Sequence, residues 1–404
     1  MAEPYTELHA RSALSFLRGA SRPEDLVCQT AALGMTALGL CDRDGVYGTA
    51  RAQYATRELI SEFHAIVGSE LTMEDESVVP LLAETRLGYQ NLCRLITRAK
   101  LRALKNDSRV LWSELEEGAE GLVCLTGDEE GPIRRALAAR EFESAATSLA
   151  RLVRIFGRER VYVEVQRHHV RGEEWMIRRL RELAEQFRLP LLATNGACYA
   201  LPSGRVVFDA FTCQRHHTHL DEAGILLASN SQRYLKGASE MKGLFADLPE
   251  AITNTVRLRE RLTFSLRDLG YQFPTYPAPE GETVASFLRI QTDIGAKKRY
   301  GRITSKIRKQ LDHELAIIEK LGFCGYFLIV WDIVNTCREK NVMVQGRGSA
   351  ANSAVCYCLE ITAADAIKHE LFFERFLSEG RHSWPDIDLD LPSGDRRESI
   401  IQSV

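Results

Sequence analysis

Apolar runs of four to six residues alternate with longer segments of helical period through the first two-thirds of the chain. The pattern predicts strands over 5–10, 37–41, 65–70, 78–83, 122–126, 160–166 and 191–194. Between them it predicts helices over 23–34, 49–60, 89–104, 173–187 and within 132–156. Such alternation implies parallel strands joined by crossover helices, and roughly seven units in under 270 residues suggest a barrel rather than an open sheet. His9, Asp42, Glu70, His168 and Asn195 all fall at or just after the end of a predicted strand, where barrel chemistry is normally placed. Pro274, Pro277, Pro279 and Gly281 then mark a linker over 271–282. Beyond it the period is helical to about 300 and again over 303–321, and an apolar helix starts at Gly322.

Near the end the period changes. In Pro385-Asp386-Ile387-Asp388-Leu389-Asp390-Leu391, acids and aliphatics alternate, so a strand puts Asp386, Asp388 and Asp390 on one face and Ile387, Leu389 and Leu391 on the other. Three carboxylates side by side repel and suit a strand poorly unless a cation sits among them. Magnesium takes carboxylate oxygens and keeps positions for water and phosphate, as in two-metal phosphoryl transfer. The bland alternative is an edge strand with an acidic solvent face. Upstream, 342–345 reads as a strand and runs into Gly346-Arg347-Gly348-Ser349-Ala350-Ala351-Asn352-Ser353, after which a helix opens. Glycines at a strand-to-helix turn let backbone N–H groups approach a phosphate, and the helix N-terminus adds positive potential.

Bulk properties add little. A net charge of −3 gives no global basic signature, so nucleic-acid binding must rest on local sites. The densest basic stretch, Lys297 to Lys309, is equally a solvated helix face. The ten cysteines form no CxxC pair and read as reduced thiols. Cys213, His216, His217 and His219 lack zinc-site spacing and read as a helix end. With no signal-peptide pattern and no apolar run approaching the ~20 residues that span a bilayer, the expected compartment is the cytoplasm, with no membrane partner.

The run Gly346 to Ser353, then Phe373-Glu374-Arg375-Phe376-Leu377, then Trp384-Pro385-Asp386-Ile387-Asp388-Leu389-Asp390-Leu391-Pro392-Ser393-Gly394-Asp395, resembles the palm of bacterial C-family replicative DNA polymerases, the error-prone alpha-subunit type above all. The preceding part resembles the polymerase-and-histidinol-phosphatase (PHP) domain. The resemblance implies an α/β fold: a PHP-type (β/α)7-like barrel with a small link over 1–270, the linker 271–282, and over 283–404 the N-terminal part of a polymerase-beta-like nucleotidyltransferase palm. It implies Asp386 and Asp388 as catalytic ligands of two magnesium ions with Asp390 as a neighbouring acid, and Arg347, Gly348, Ser349 and Arg375 as nucleotide contacts. The implied substrates are primer-template DNA and deoxynucleoside triphosphates. A sliding clamp and translesion accessory proteins would engage regions beyond this chain. The family's third catalytic aspartate lies further on, and the pattern at 396–404 has no stop signal, so the chain is expected to be truncated and inactive alone.

In the barrel, His9, Glu70 and His168 match PHP metal ligands, as does Asp42. Arg11, Arg18 and Arg43, however, stand where a histidine, an aspartate and a histidine are expected. Val78, Gly196 and Cys198 replace further ligands. Arginine is permanently charged and cannot ligate a metal, so the expectation is a lost metal site with Arg11, Arg18 and Arg43 paired to Glu70 and Asp42. Three rivals remain: a proofreading or pyrophosphate-cleaving PHP enzyme for the barrel, a non-catalytic module that binds nucleotide or a replication partner, and an oxidoreductase, since Gly346-x-Gly348-x-x-Ala351 also fits the dinucleotide fingerprint.

Overall fold

The computed structural model describes residues 5–59, 62–104, 107–269, 275–378 and 385–404, which fall into two compact units, 1–270 and 271–404.

The first unit is built on seven strands in sequential order: β1 (Glu7–Ala10), β2 (Ala37–Arg43), β3 (His64–Thr72), β4 (Val78–Ala83), β5 (Leu122–Leu125), β6 (Val161–Val165) and β7 (Leu191–Ala193). The sheet is not wholly parallel. β4 runs antiparallel to both β3 and β5. A parallel neighbour needs a crossover of a dozen or more residues, whereas the short segment between Thr72 and Val78 allows only a hairpin, closed by Met73 N–H donating to the Ser77 carbonyl at 2.8 Å.

The sheet curls until its ends meet. Asn195 N–H donates to the Glu7 carboxylate at 2.8 Å, and Arg11 N–H to the Ala197 carbonyl at 2.8 Å, although no β1–β7 ladder forms among the described residues. Period-two alternation then sorts the side chains. Ile66, Leu82, Val123, Leu125, Tyr162 and Leu192 form one buried cluster with Leu258 of the helix Pro249–Arg261 and Leu262 just beyond it. Further along the same strand faces come Glu70 on β3 and Glu164 on β6. The interior is therefore apolar at one end and ionic at the other. The opposite faces, including Val67, Val79, Val163 and Ala193, pack against the surrounding helices. A shift in the pairing of β1 with β2 between Glu7 and Ala10 is the local irregularity beside His9.

In the second unit the helices Val284–Tyr300, Ser305–Lys320 and Cys324–Glu339 and the short helix Ala354–Cys358 enclose a core that includes Leu288, Leu311, Phe327, Val355, Phe373 and Phe376. Thr283 and Thr304 cap the first two by accepting from Ser286 and Ile307 N–H. The expected linker carries no helix or strand where described; Tyr276 stacks on Phe287 with ring centroids 6.1 Å apart, while Phe273 and Pro274 lie outside the described residues. The strand expected over 342–345 is instead β8 (Gln345–Arg347), paired antiparallel with β9 (Asp388–Asp390). Gly346 and Arg347 thus belong to the strand rather than the turn. The segment expected to be helical at the end is the helix Asp395–Ile401, whose Ile400 buries against Cys337 and Val342.

Two helices of the second unit approach closely at Gly295, where an added Cβ would lie 1.9 Å from the Cys358 carbonyl oxygen. Gly295→Ala is expected to destabilise the second unit by about 1–3 kcal/mol, the usual cost of overpacking, seen as an earlier unfolding transition in urea. An unchanged transition would show that the helices separate without cost.

Candidate functional site

β8 and β9 form a ribbon with Arg347 opposite Asp388 and Gln345 opposite Asp390. Asp386, just before β9, and Asp388 and Asp390 within it are exposed; Ile387 and Leu389 between them are half-buried on the core. The predicted alternation is therefore present, and two contacts hold its start: Ile387 N–H donates to the Tyr326 hydroxyl at 3.1 Å, and the Ser349 hydroxyl to the Asp386 carbonyl at 3.3 Å.

Gly348 begins the turn Gly348–Asn352 with φ +69°, and an added Cβ would stand 3.4 Å from Asp388 Oδ2. Only glycine adopts this conformation readily, and the absent side chain leaves the carboxylate uncovered on that side. Arg347 Nε pairs with Asp390 Oδ1 at 3.0 Å, with both side chains more than half exposed, so the pair contributes little to stability and either partner can be drawn away. Arg375 is exposed on the turn Phe373–Arg375, which lies beside Gly348–Asn352 and is anchored by buried Phe373 and Phe376. Trp384 lies outside the described residues. The structure thus brings Arg347, Gly348 and Ser349 to the three aspartates.

One expectation fails. The N-terminus of Ala354–Cys358 does not offer its amides to a phosphate, because the fully buried Glu314 carboxylate already takes them. Ala354 and Val355 N–H each donate to it at 3.0 Å, the Ser353 hydroxyl at 2.8 Å and Gln310 Nε2 at 2.9 Å. Burial pushes the Glu314 pKa up, and these donors pull it back. No sequence pattern announced Glu314, since its partners lie some forty residues away. The oxidoreductase alternative fails here too: Gly346 sits in a two-stranded antiparallel ribbon, and an acid, not a pyrophosphate, fills the helix N-terminus.

Could the acids hold magnesium? Asp386 and Asp388 offer hard oxygen donors on one open face. Among the described residues no three His, Cys, Asp or Glu side chains converge as a closed metal cage. Two hard carboxylates on an open face suit an ion that keeps water and substrate oxygens in its shell, which is magnesium's habit.

The barrel rim is arranged differently. His9 is fully buried between Glu164, 2.7 Å from Nδ1, and Glu70, 2.8 Å from Nε2. Burial alone would lower its pKa, but the two carboxylates outweigh it and hold it up at about 10. Arg11 Nε and Nη2 donate to Glu70 at 2.9 and 2.5 Å, and Nη2 also pairs with Asp128. Arg43 spans Glu70 at 3.0 Å and Glu130 at 2.5 Å. Against burial, which would raise it, these cations hold the Glu70 carboxyl well below the usual range.

The expected pairing is thus right for Arg11 and Arg43 with Glu70 and wrong elsewhere. Arg18 pairs with Glu130 at 3.0 Å. Asp42 accepts from Ser12 N–H at 2.8 Å, the Ser12 hydroxyl at 2.8 Å and Gly48 N–H at 3.1 Å, because the turn after β1 and the start of the helix Tyr47–Ala55 reach it first. His168 is not drawn into the His9 cluster: its Nε2 lies 2.8 Å from the Asn195 carbonyl, and burial, with Arg233 nearby, pushes its pKa down to about 3. Sequence reasoning missed Asp128, Glu130, Glu164 and Arg233. The first two follow β5 and could have been found by the strand-end rule that picked out Glu70. Cys213 is buried, while His216, His217 and His219 are exposed past the helix Arg205–Arg215.

Glu314→Ala would strand two amides and a hydroxyl in the core. An expected loss of about 2–3 kcal/mol in urea unfolding follows, with Glu314→Gln costing less because its carbonyl oxygen still accepts. Equal effects of the two changes would contradict this role.

Two family models match the chain: the PHP domain over residues 7–168, and the bacterial DNA polymerase III alpha NTPase domain over 286–404. A protein named error-prone DNA polymerase from Mycolicibacterium paratuberculosis is 41% identical over 415 residues, covering 99% of this chain and 38% of the relative. Proteins of the same name from Bdellovibrio bacteriovorus (36% over 413 residues) and Symbiobacterium thermophilum (39% over 416 residues) cover 100% and 99% of this chain and 37% and 38% of themselves. Among solved structures, an amidohydrolase from Chromobacterium violaceum is similar over 48% of this chain and 86% of its own at 16% identity and TM-score 0.29, too weak a likeness to bear on the argument. The chain spans well under half the length of the curated relatives it matches. The chain thus carries a PHP domain followed by the bacterial DNA polymerase III alpha NTPase domain, and is similar over its whole length to proteins named error-prone DNA polymerase.

Proposed function

We propose that the whole protein is an error-prone DNA-directed DNA polymerase. The observation that carries this reading is the open face of the β8/β9 ribbon, with Asp386 and Asp388 exposed beside the Gly348 turn. The reaction is template-directed addition of deoxynucleoside triphosphates to a primer 3′-hydroxyl. Two magnesium ions, when bound, lower the pKa of that hydroxyl and neutralise charge on the triphosphate. Asp386 and Asp388 are the residues that would hold them. The Gly348–Ser349 backbone and the Arg347 and Arg375 guanidiniums would receive triphosphate oxygens, positioning the α-phosphate for attack. Arg347 would have to leave Asp390, an exchange made cheap by the exposure of that pair. DNA and nucleotides are the partners this chemistry requires; a sliding clamp and accessory translesion proteins would be met by the remaining length of the protein. The 404 residues alone are the nucleotide-binding share of that activity and do not extend a primer. Among the described residues no helix is long and apolar enough to cross a membrane.

We further infer that the PHP barrel holds no metal cluster: Glu70, its best-placed ligand, spends both oxygens on guanidiniums and His9.

In the whole polymerase, Asp388→Ala is expected to lower primer extension by about a thousandfold or more while leaving the unfolding transition in place, since the side chain is exposed. Extension near the wild-type rate would refute the assignment. Elemental analysis of the purified 404-residue chain should find zinc and manganese far below one equivalent; a full equivalent would overturn the barrel reading.

A further inference from the structure

The peptide between Asp386 and Ile387 is held at both poles. Its carbonyl accepts from the Ser349 hydroxyl at 3.3 Å, and its N–H donates to the Tyr326 hydroxyl at 3.1 Å. A trans peptide is flat and points these two groups to opposite sides, so a pair of hydroxyls suffices to fix its plane. They come from different elements: Tyr326 from the first turn of the helix Cys324–Glu339, Ser349 from the turn Gly348–Asn352. Each is itself anchored. The Tyr326 ring meets buried Phe327 edge-on with centroids 6.1 Å apart, and Asn352 Nδ2 donates to the Ser349 carbonyl at 3.0 Å.

The β8/β9 ladder begins at Asp388, which faces Arg347, and leaves Asp386 two residues outside it with its side chain exposed. Sheet pairing therefore places Asp388 but not Asp386. The peptide between them decides the rest. Turning its plane changes ψ of Asp386 and φ of Ile387, which swings one acid relative to the other. Magnesium demands near-octahedral geometry, so two carboxylates bind it together only from set positions, and groups that orient ligands from outside the coordination shell tune affinity. Accepting at the carbonyl also strengthens donation by the N–H of the same peptide, so the two hydroxyls reinforce each other.

We propose that Tyr326 and Ser349 are positioning residues for the metal-binding aspartates: through this one peptide their hydroxyls set Asp386 against Asp388 as a divalent cation requires. The inference rests on the assignment of Asp386 and Asp388 as magnesium ligands. It gives the Ser349 side chain a task separate from the triphosphate contact of its backbone, and it builds the metal site and the triphosphate turn onto one support.

The test is titration of the 404-residue chain with manganese(II) as a paramagnetic stand-in for magnesium, the free ion being read by electron paramagnetic resonance. Binding at this face is the part lost in Asp388→Ala. Tyr326→Phe and Ser349→Ala are each expected to weaken it about threefold to tenfold, the range of one net hydrogen bond. The double variant should be weakened by less than the product of the two, because both changes act on one peptide. Ser349→Thr keeps the hydroxyl and should keep the parental affinity. A merely structural role would move the urea unfolding transition and leave the manganese affinity of the folded chain where it was. Unaltered binding in both hydroxyl variants, or single effects that multiply in full, overturns the inference while leaving the aspartates as ligands. Binding that Asp388→Ala does not reduce removes the metal assignment and the inference with it.

Discussion

The Glu70 carboxylate organises the first unit. It is wholly buried at the polar end of a curled sheet and is met by His9, Arg11 and Arg43, which come from β1, the turn after it and β2. A carboxylate in that position is tolerable only if each oxygen finds a donor and the charge finds a cation. Where a PHP metal site would supply divalent ions, this chain supplies guanidiniums and an imidazolium. The acids brought in to balance them, Asp128, Glu130 and Glu164, extend the network around the rim and tie β5 and β6 to β1. The strand ends are therefore held by charge as well as by backbone pairing.

The second unit uses carboxylates in two contrasting ways. Glu314 is structural, since its oxygens are engaged by four donors and it fixes the start of the helix behind the Gly348 turn. Asp386 and Asp388 are the reverse: they stand in solvent, and the backbone around them, not the side chains, is tied to Tyr326 and Ser349. Glu314 spends its lone pairs within the fold, whereas Asp386 and Asp388 are held by their main chain and accept no hydrogen bond on their side chains among the described residues. That distinction is sharper than burial or net charge in sorting the acids of this chain.

What the sequence made legible was whatever is encoded locally. The Asp386–Asp390 alternation and the strand-end positions of His9 and Glu70 depend on near neighbours and were readable. Asp128 and Glu130 obeyed the same strand-end rule but were hidden behind Thr126 and Gly127. The reversal of β4 was written in the shortness of its connection to β3 and was missed because the apolar content of the strand looked parallel. Glu314 and Glu164 could not be read at all: each answers a partner brought near only by the tertiary fold, and a lone acid within an apolar pattern looks like a solvated one until that partner is known.

The arginine-lined rim also restricts what the barrel can become. Changing Arg11 alone to a metal-binding histidine would strip Glu70 and Asp128 of their shared cation, leaving buried charge uncompensated at about 3–5 kcal/mol before any ion could be gained. Arg43 would impose a similar toll through Glu70 and Glu130. Each single step toward a metal ligand is opposed by the acids already paired with these arginines, so the rim works as a ratchet: a metal-binding arrangement requires several concerted replacements, while drift among alternative cation arrangements stays open.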